Sequence, residues 1–165
     1  MGLLQPHGRC GRRLRQAGLN RAERFIVIHT AGHARAALAA AAELAVPVTL
    51  ASAAGAGLYA GPGWFKAAVA LAREDFPAVD CAIVLDCGGA PGMVLAALRQ
   101  GLPRVRFDGP DAVAARLAEI AAQCEAAIER GALEPALDLL DREDAETLCR
   151  TFLAAERHTL PSRFP

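Results

Sequence analysis

The sequence predicts an α/β fold: a three-layer sandwich of β/α units around a mostly parallel, four-stranded sheet, with further helices at the C-terminal end. Three observations predict it. Ile/Val-rich runs at Arg24–His29, Pro47–Ser52, Cys81–Asp86 and Arg104–Phe107 alternate with Ala/Leu-rich segments of helical length. Phe25–Ile28 and Ile83–Leu85 are apolar without a break, as in strands covered on both faces. Each run is followed by a helix, which a return to a parallel neighbour requires. A half-barrel of four β/α units satisfies the same pattern and is the alternative. Strand order is not legible from sequence.

The elements follow in order. Arg24–His29 is the first strand. His33–Ala45 is a helix, because Ala and Leu are strong helix formers. Pro47–Ser52 is the second strand, with Pro47 at its first position, where a missing N–H is tolerated. Ala53–Gly63 is a glycine-rich loop, and Gly63–Asp75 a helix ended by Phe76-Pro77. Cys81–Asp86 is the third strand and Gly88–Gly92 a second glycine loop. Met93–Gln100 is a helix with Gly101 as its natural end. Arg104–Phe107 is the fourth strand. Pro110–Arg130 reads as one long helix, with an apolar stripe at Val113, Leu117, Ile120, Cys124 and Ile128. Leu137, Leu140, Leu148, Phe152 and Leu153 suggest two short helices in the tail.

The chain divides into a basic flexible arm (1–23), an α/β domain (24–130) and an acidic helical extension (131–165). Its 165 residues carry 18 basic and 18 acidic side chains, for a net charge of zero. That balance hides opposite ends. Residues 1–24 hold six arginines against Glu23, while residues 134–146 hold six carboxylates against Arg142. This polarity suggests that the arm meets the acidic segment of a neighbouring copy, in a homo-oligomer, or of its own chain. Net neutrality argues against a nucleic-acid binder, and 5% aromatics argue against a stacking platform for single strands. His29, His33, Arg35 and Glu43 interrupt the stretch from Phe25 to Val48, so it is not a membrane span. Five cysteines at irregular spacings, with no C-x-x-C, point to free thiols in a reducing, cytoplasmic setting.

Ligands of parallel α/β sheets collect beyond the carboxyl ends of the strands. The richest such segment is Val84-Leu85-Asp86-Cys87-Gly88-Gly89-Ala90-Pro91-Gly92. Glycines there let a ligand approach the backbone, and the following helix start offers N–H donors. Asp86, Gly88, Gly89, Gly92 and Asp108 are therefore candidate ligand residues. His29 and His33, four apart across a strand-to-helix turn, line the same end. With Asp86 or Asp108 they have the chemistry of a metal site, but a hydrogen-bonded strand-end His29 and a helix-start His33 account for them more simply, and no metal is assigned. Lys66, the one lysine, lies early in a helix and is a candidate for an anionic group. Gly55-x-Gly57-x-x-x-Gly61 only loosely matches a dinucleotide fingerprint; a loop over a pocket, carrying Tyr59 and Trp64, fits it better. Ser52 lacks a G-x-S-x-G setting, and no Walker A motif occurs.

Asp86-x-Gly88-x-x-x-Gly92, with Ala90-Pro91-Gly92 inside it, resembles motif I of class I S-adenosylmethionine-dependent methyltransferases. The resemblance covers about 25 residues, judged by strand-turn-helix-strand context. It implies Asp86 and Gly88–Gly92 near a methionine moiety and Asp108 at a ribose. The later strands and the aromatic catalytic motif of that family have no counterpart here. The leading expectation is a domain binding a small anionic or nucleotide-like metabolite, its cofactor and catalytic residues unassigned. A methyltransferase-like protein and a non-catalytic interaction domain are the alternatives.

Overall fold

The structure, a computed structural model, describes residues 23–155. The basic arm up to residue 22, Cys10 and the segment from residue 156 lie outside the described residues. The elements are β1 (Phe25–Ile28), α1 (Ala31–Leu44), β2 (Val48–Ser52), α2 (Ala56–Tyr59), α3 (Gly61–Asp75), β3 (Cys81–Asp86), α4 (Pro91–Arg99), β4 (Arg104–Arg106), α5 (Asp111–Gln123), β5 (Ala127–Glu129), β6 (Ala136–Asp138) and α6 (Ala145–Ala154).

The α/β class and the parallel sheet are as the sequence predicts. The sheet has six strands in the order β5-β4-β3-β2-β1-β6, and every pair is parallel. From β1 to β5 each strand lies beside the next in sequence. Right-handed crossovers between such neighbours put all their helices on one face. The helix contacts agree: α6 packs on α1, α1 on α3, α3 on α4 and α4 on α5. This is the order of the half-barrel alternative, extended from four strands to six.

Side-chain alternation along the strands separates the two faces. Ile26, Ile28, Val48, Leu50, Leu85, Val105 and Phe107 join the large core with the helices. Phe25, Ala51 and Val84 form a smaller cluster of their own, with Val27 and Leu133 against it. The helices bury many alanines among larger apolar side chains. Ala34, Ala37, Leu38 and Ala41 are buried on α1, and Phe65, Ala68, Val69 and Ala72 on α3. Small side chains let a helix sit close to its neighbours, which gives the alanine-rich composition a packing role.

Three expected elements differ. The expected glycine-rich loop Ala53–Gly63 contains the one-turn helix α2 and the start of α3. The long helix Pro110–Arg130 is α5 followed by β5. Its turn is made by Glu125 at φ 54°, with Ala126 N–H on the Ala121 carbonyl. A left-handed helix end carried by glutamate rather than glycine leaves no punctuation in the sequence. The buried residues of α5 are Ala114, Leu117 and Ala121, while Ile120 and Cys124 are exposed and Ile128 belongs to β5. In the tail, the first of the two expected helices is the strand β6. Thus part of the segment expected as a helical extension completes the sheet beside β1, and α6 buries Cys149 and Leu153.

The link from β5 to β6 is six residues long, Arg130 to Pro135, yet it joins opposite edges of the sheet. Fully extended, it reaches about 25 Å. Crossing five strand spacings of a flat sheet takes about 24 Å, before the return from the carboxyl end of β5 to the amino end of β6. The sheet must therefore curl. The link passes over its concave face, where Leu133 packs on the Phe25, Ala51 and Val84 cluster and the Pro135 carbonyl accepts from Phe25 N–H. If β6 and α6 are integral to this fold, Leu153→Ala costs about 2–4 kcal/mol, as a buried leucine does. Urea unfolding measures it; a loss under about 0.5 kcal/mol would show the helix to be an appendage.

Candidate functional site

In a parallel sheet the carboxyl ends of all strands lie at one edge. Here that edge carries His29 after β1, Ser52 on β2, Asp86 on β3, Asp108 after β4 and Asp138 on β6. Asp86 is buried and is its most connected group. Its Oδ1 accepts from Gly55 N–H at 3.0 Å and Gly88 N–H at 2.8 Å. Its Oδ2 accepts from Arg106 Nη1 at 2.6 Å, and its own N–H donates to Ser52 Oγ at 2.9 Å. One residue thus ties together the ends of β2, β3 and β4. Both carboxylate oxygens are already engaged, so Asp86 fixes the loops around it.

Gly88 has φ +52°, which glycine adopts without strain. Its carbonyl accepts from Asp108 N–H at 2.8 Å, closing the β3 and β4 ends on each other. Gly57 on α2 comes so close that a Cβ there would sit 2.8 Å from Cys87 Sγ. That contact seats α2 over the end of β3 and shuts Cys87 away; burial first, and the Asp86 charge second, push its thiol up to about 12. It is no nucleophile at neutral pH.

Gly89 and Gly92 are exposed, and their N–H groups make no hydrogen bond among the described residues. Helix α4 has Ala90 as N-cap with no side-chain cap and Pro91 in its first turn. Gly92 therefore offers the free donor expected at an uncapped helix start.

Arg106 bridges two candidate residues. Its Nη2 lies 3.2 Å from Asp108 Oδ2, and its Nε donates to the Gly131 carbonyl of the crossing link. Burial works against the Arg106 charge, but Asp86 and Asp108 outweigh it and raise its pKa. A second set lies beside it on the concave face. Arg104 pairs with Glu129 at 2.8 Å and with Glu23, which also accepts from Thr49 Oγ1 at 2.8 Å. Burial works to raise the Glu23 carboxyl, and the Arg104 and Thr49 hydrogen bonds overcome it, holding it below its ordinary value.

His29 and His33 are brought together at the β1 end. Asp138 Oδ1 lies 2.7 Å from His29 Nε2 and also accepts from Leu140 N–H at 2.8 Å. His33 Nδ1 accepts from His29 N–H at 3.3 Å, and His33 N–H donates to the N-cap Thr30 Oγ1 at 3.1 Å. The rings meet edge to face, with centroids 6.0 Å apart. The carboxylate partner of His29 is thus Asp138, not Asp86 or Asp108. Among the described residues no group of three or more His, Cys, Asp or Glu is placed to hold a metal ion.

Lys66 is turned elsewhere: its Nζ donates to the Gln100 carbonyl at the C-terminal end of α4, at 2.6 Å. A cation there answers the free carbonyls of a helix end. Of the residues that make this site, sequence reasoning missed Arg106 and Asp138. The i, i+2 spacing of Arg104, Arg106 and Asp108 on one strand face was the available signal for the first. Asp138 had none, because it reaches His29 only through the return of β6 to β1.

This architecture defines the chain as an α/β domain of consecutive parallel β/α units whose loops gather at one edge of the sheet. No protein-family model matches the sequence, and no curated protein matches it. The fold is similar to the crystal structure of "a putative fructose-1,6-biphosphate aldolase from Coccidioides immitis", with a TM-score of 0.56 and 18% identity over 66% of this chain and 45% of that one. It is similar also to that of "a probable tagatose 6 phosphate kinase from Sinorhizobium meliloti 1021", with a TM-score of 0.56 and 19% identity over 79% of this chain and 44% of that one. The chain spans less than half the length of either structure. At this identity the likeness is one of fold. In this order β3 lies between its sequence neighbours, so the Asp86 loop is not at a topological switch point, where nucleotide folds bind. Among the described residues no helix is long and apolar enough to cross a membrane.

Burial, and then the nearby His29, lower the His33 pKa below 6.5, while the Asp138 charge works to raise it. A depressed folded pKa contributes stability that is present above the unfolded value and lost as pH falls through the folded one. An NMR titration of the imidazoles is expected to place the His33 midpoint below 6.5. Asp138→Asn removes the raising charge and should move it lower still; an upward move would contradict this electrostatic account.

Proposed function

We propose that this domain binds a small anionic metabolite at the carboxyl ends of its parallel strands. The observation that carries the reading is the pair of free, exposed N–H donors of Gly89 and Gly92 at the uncapped start of α4. Backbone N–H groups at a helix start suit a phosphate or carboxylate. His29 and His33 stand at the same edge of the sheet, two strand positions away on β1. In this role Asp86 and Arg106 serve as the frame, holding the Gly55, Gly88 and Asp108 backbones in place. Asp108, whose carboxylate is largely exposed, remains able to accept from a ligand hydroxyl. Lys66 joins the site only by releasing the Gln100 carbonyl. The names of both structural neighbours concern sugar phosphates, which agrees with a small anionic ligand.

A thermal-shift screen over sugar phosphates, carboxylates, nucleotides and S-adenosylmethionine tests the reading. A ligand at 100 times its Kd adds about 2.7 kcal/mol to the native state. Phosphorylated or carboxylated compounds should raise the midpoint where their neutral parents do not. A Cβ at Gly89 would lie 3.9 Å from the Asp108 carbonyl, an ordinary contact, so Gly89→Ala should fold normally and weaken the ligand. An unchanged ligand shift in Gly89→Ala would count against the loop as the binding element.

A further inference from the structure

His29, His33 and Asp138 form an arrangement that ligand binding by the glycine loop does not use. Asp138 is held by Leu140 N–H and faces His29 Nε2 at 2.7 Å. A carboxylate at that distance places the ring proton on Nε2 and leaves Nδ1 as a lone pair. Among the described residues Nδ1 of His29 has no hydrogen-bond partner. His33 is set the other way. Its Nδ1 accepts from His29 N–H, so the neutral ring carries its proton on Nε2, which has no partner among the described residues. Protonating His33 at Nδ1 would break that bond, and burial disfavours its charged ring. Side by side, one imidazole thus presents an acceptor and the other a donor, with centroids 6.0 Å apart.

A base oriented by a third group, beside a donor for developing negative charge, is the constellation needed to remove a proton next to a carbonyl. We infer that His29 and His33 act as an acid–base pair on a small, anionic, carbonyl-bearing ligand, with Asp138 as the residue that positions His29. The inference rests on the binding reading above. In the step, the C–H bond beside the carbonyl breaks and its proton passes to His29 Nδ1. The electron pair moves onto the carbonyl oxygen, which accepts a hydrogen bond from His33 Nε2–H. The imidazolium of His29 is stabilised by the Asp138 carboxylate. Return of a proton to carbon regenerates the ligand, so no other reactant is required. Among the described residues, the charged groups acting on the pair are Asp138 and, through it, Arg142.

The test uses the full chain in D2O with pyruvate and with hydroxyacetone phosphate, followed by proton NMR, beside thermal shifts with the same probes. The expected result is exchange of the protons next to the carbonyl of at least one probe, faster than in buffer. His29→Gln should slow it about 100-fold or more, the lower range for a general base, with the thermal shift retained. In the free protein, 15N NMR should show His29 and His33 each as the Nε2–H tautomer. Asp138→Ala should release His29 into a mixture and slow the exchange with it; a purely structural contact would change the tautomer and leave the exchange rate unmoved. Exchange that persists in His29→Gln, or rings already in mixed tautomers in the wild type, would overturn the pair. A thermal shift without exchange would overturn the pair and leave the binding reading standing. Absence of both with these probes would overturn both for carbonyl ligands of this class.

Discussion

The carboxyl edge of this sheet depends on one carboxylate. Asp86 is buried at the end of β3 and makes hydrogen bonds to Gly55, Gly88 and Arg106. A buried charge is tolerated only when it is paired and its lone pairs are occupied. Here both conditions are met, by the backbone of two loops and by the guanidinium directly opposite in the ladder, Arg106 of β4. Arg106 then reaches Asp108 and the Gly131 carbonyl of the crossing link. The β2 loop, the β3 loop, the β4 end and the link are thereby held to a common frame. The glycine loop between β3 and α4 can remain largely open because its base is fixed in this way.

A second constraint shapes the face on which that frame lies. Six residues cannot take the chain from β5 to β6 across a flat sheet and back along the strand, so the sheet curls and the link crosses its concave side. The same return brings Asp138 beside His29. The curl that gives the small inner cluster its leucine, Leu133, therefore also supplies the histidine pair with its carboxylate. The convex side is covered by helices whose inner faces mix alanine with larger apolar side chains. Fold and site are linked through the topology, not through any local motif.

Much of this was legible in the sequence, for reasons that differ by element. β1, β2 and β3 are apolar runs bounded by glycine, proline or polar residues, and all were read to within a residue or two. Asp86 and Gly88 stood out because a strand running into glycines is a strong local pattern. β5 and β6 were not legible. They are three residues each, too short for a period, and they are held by pairing with β4 and β1. Glu125 in a left-handed turn gave no glycine to mark the end of α5. Asp86 stands out as a ligand candidate because a carboxylate precedes glycines, whereas its place opposite Arg106 is set by the pairing of β3 with β4. The split of the neutral chain into a basic arm and an acidic segment places the arm outside the described residues, while Asp141, Glu143, Asp144 and Glu146 are exposed around the start of α6.

The frame is tested most directly by a double-mutant cycle on Asp86 and Arg106, read by urea unfolding. Asp86→Asn keeps the shape and removes the charge from a buried pair, a change that costs about 3–5 kcal/mol. Because the two groups share one interaction, Arg106→Met added to Asp86→Asn should cost well under the sum of the single losses, with a coupling above about 1 kcal/mol. Losses that add to within about 0.5 kcal/mol would mean that the two residues act independently, and that the carboxyl edge is not held by this ion pair.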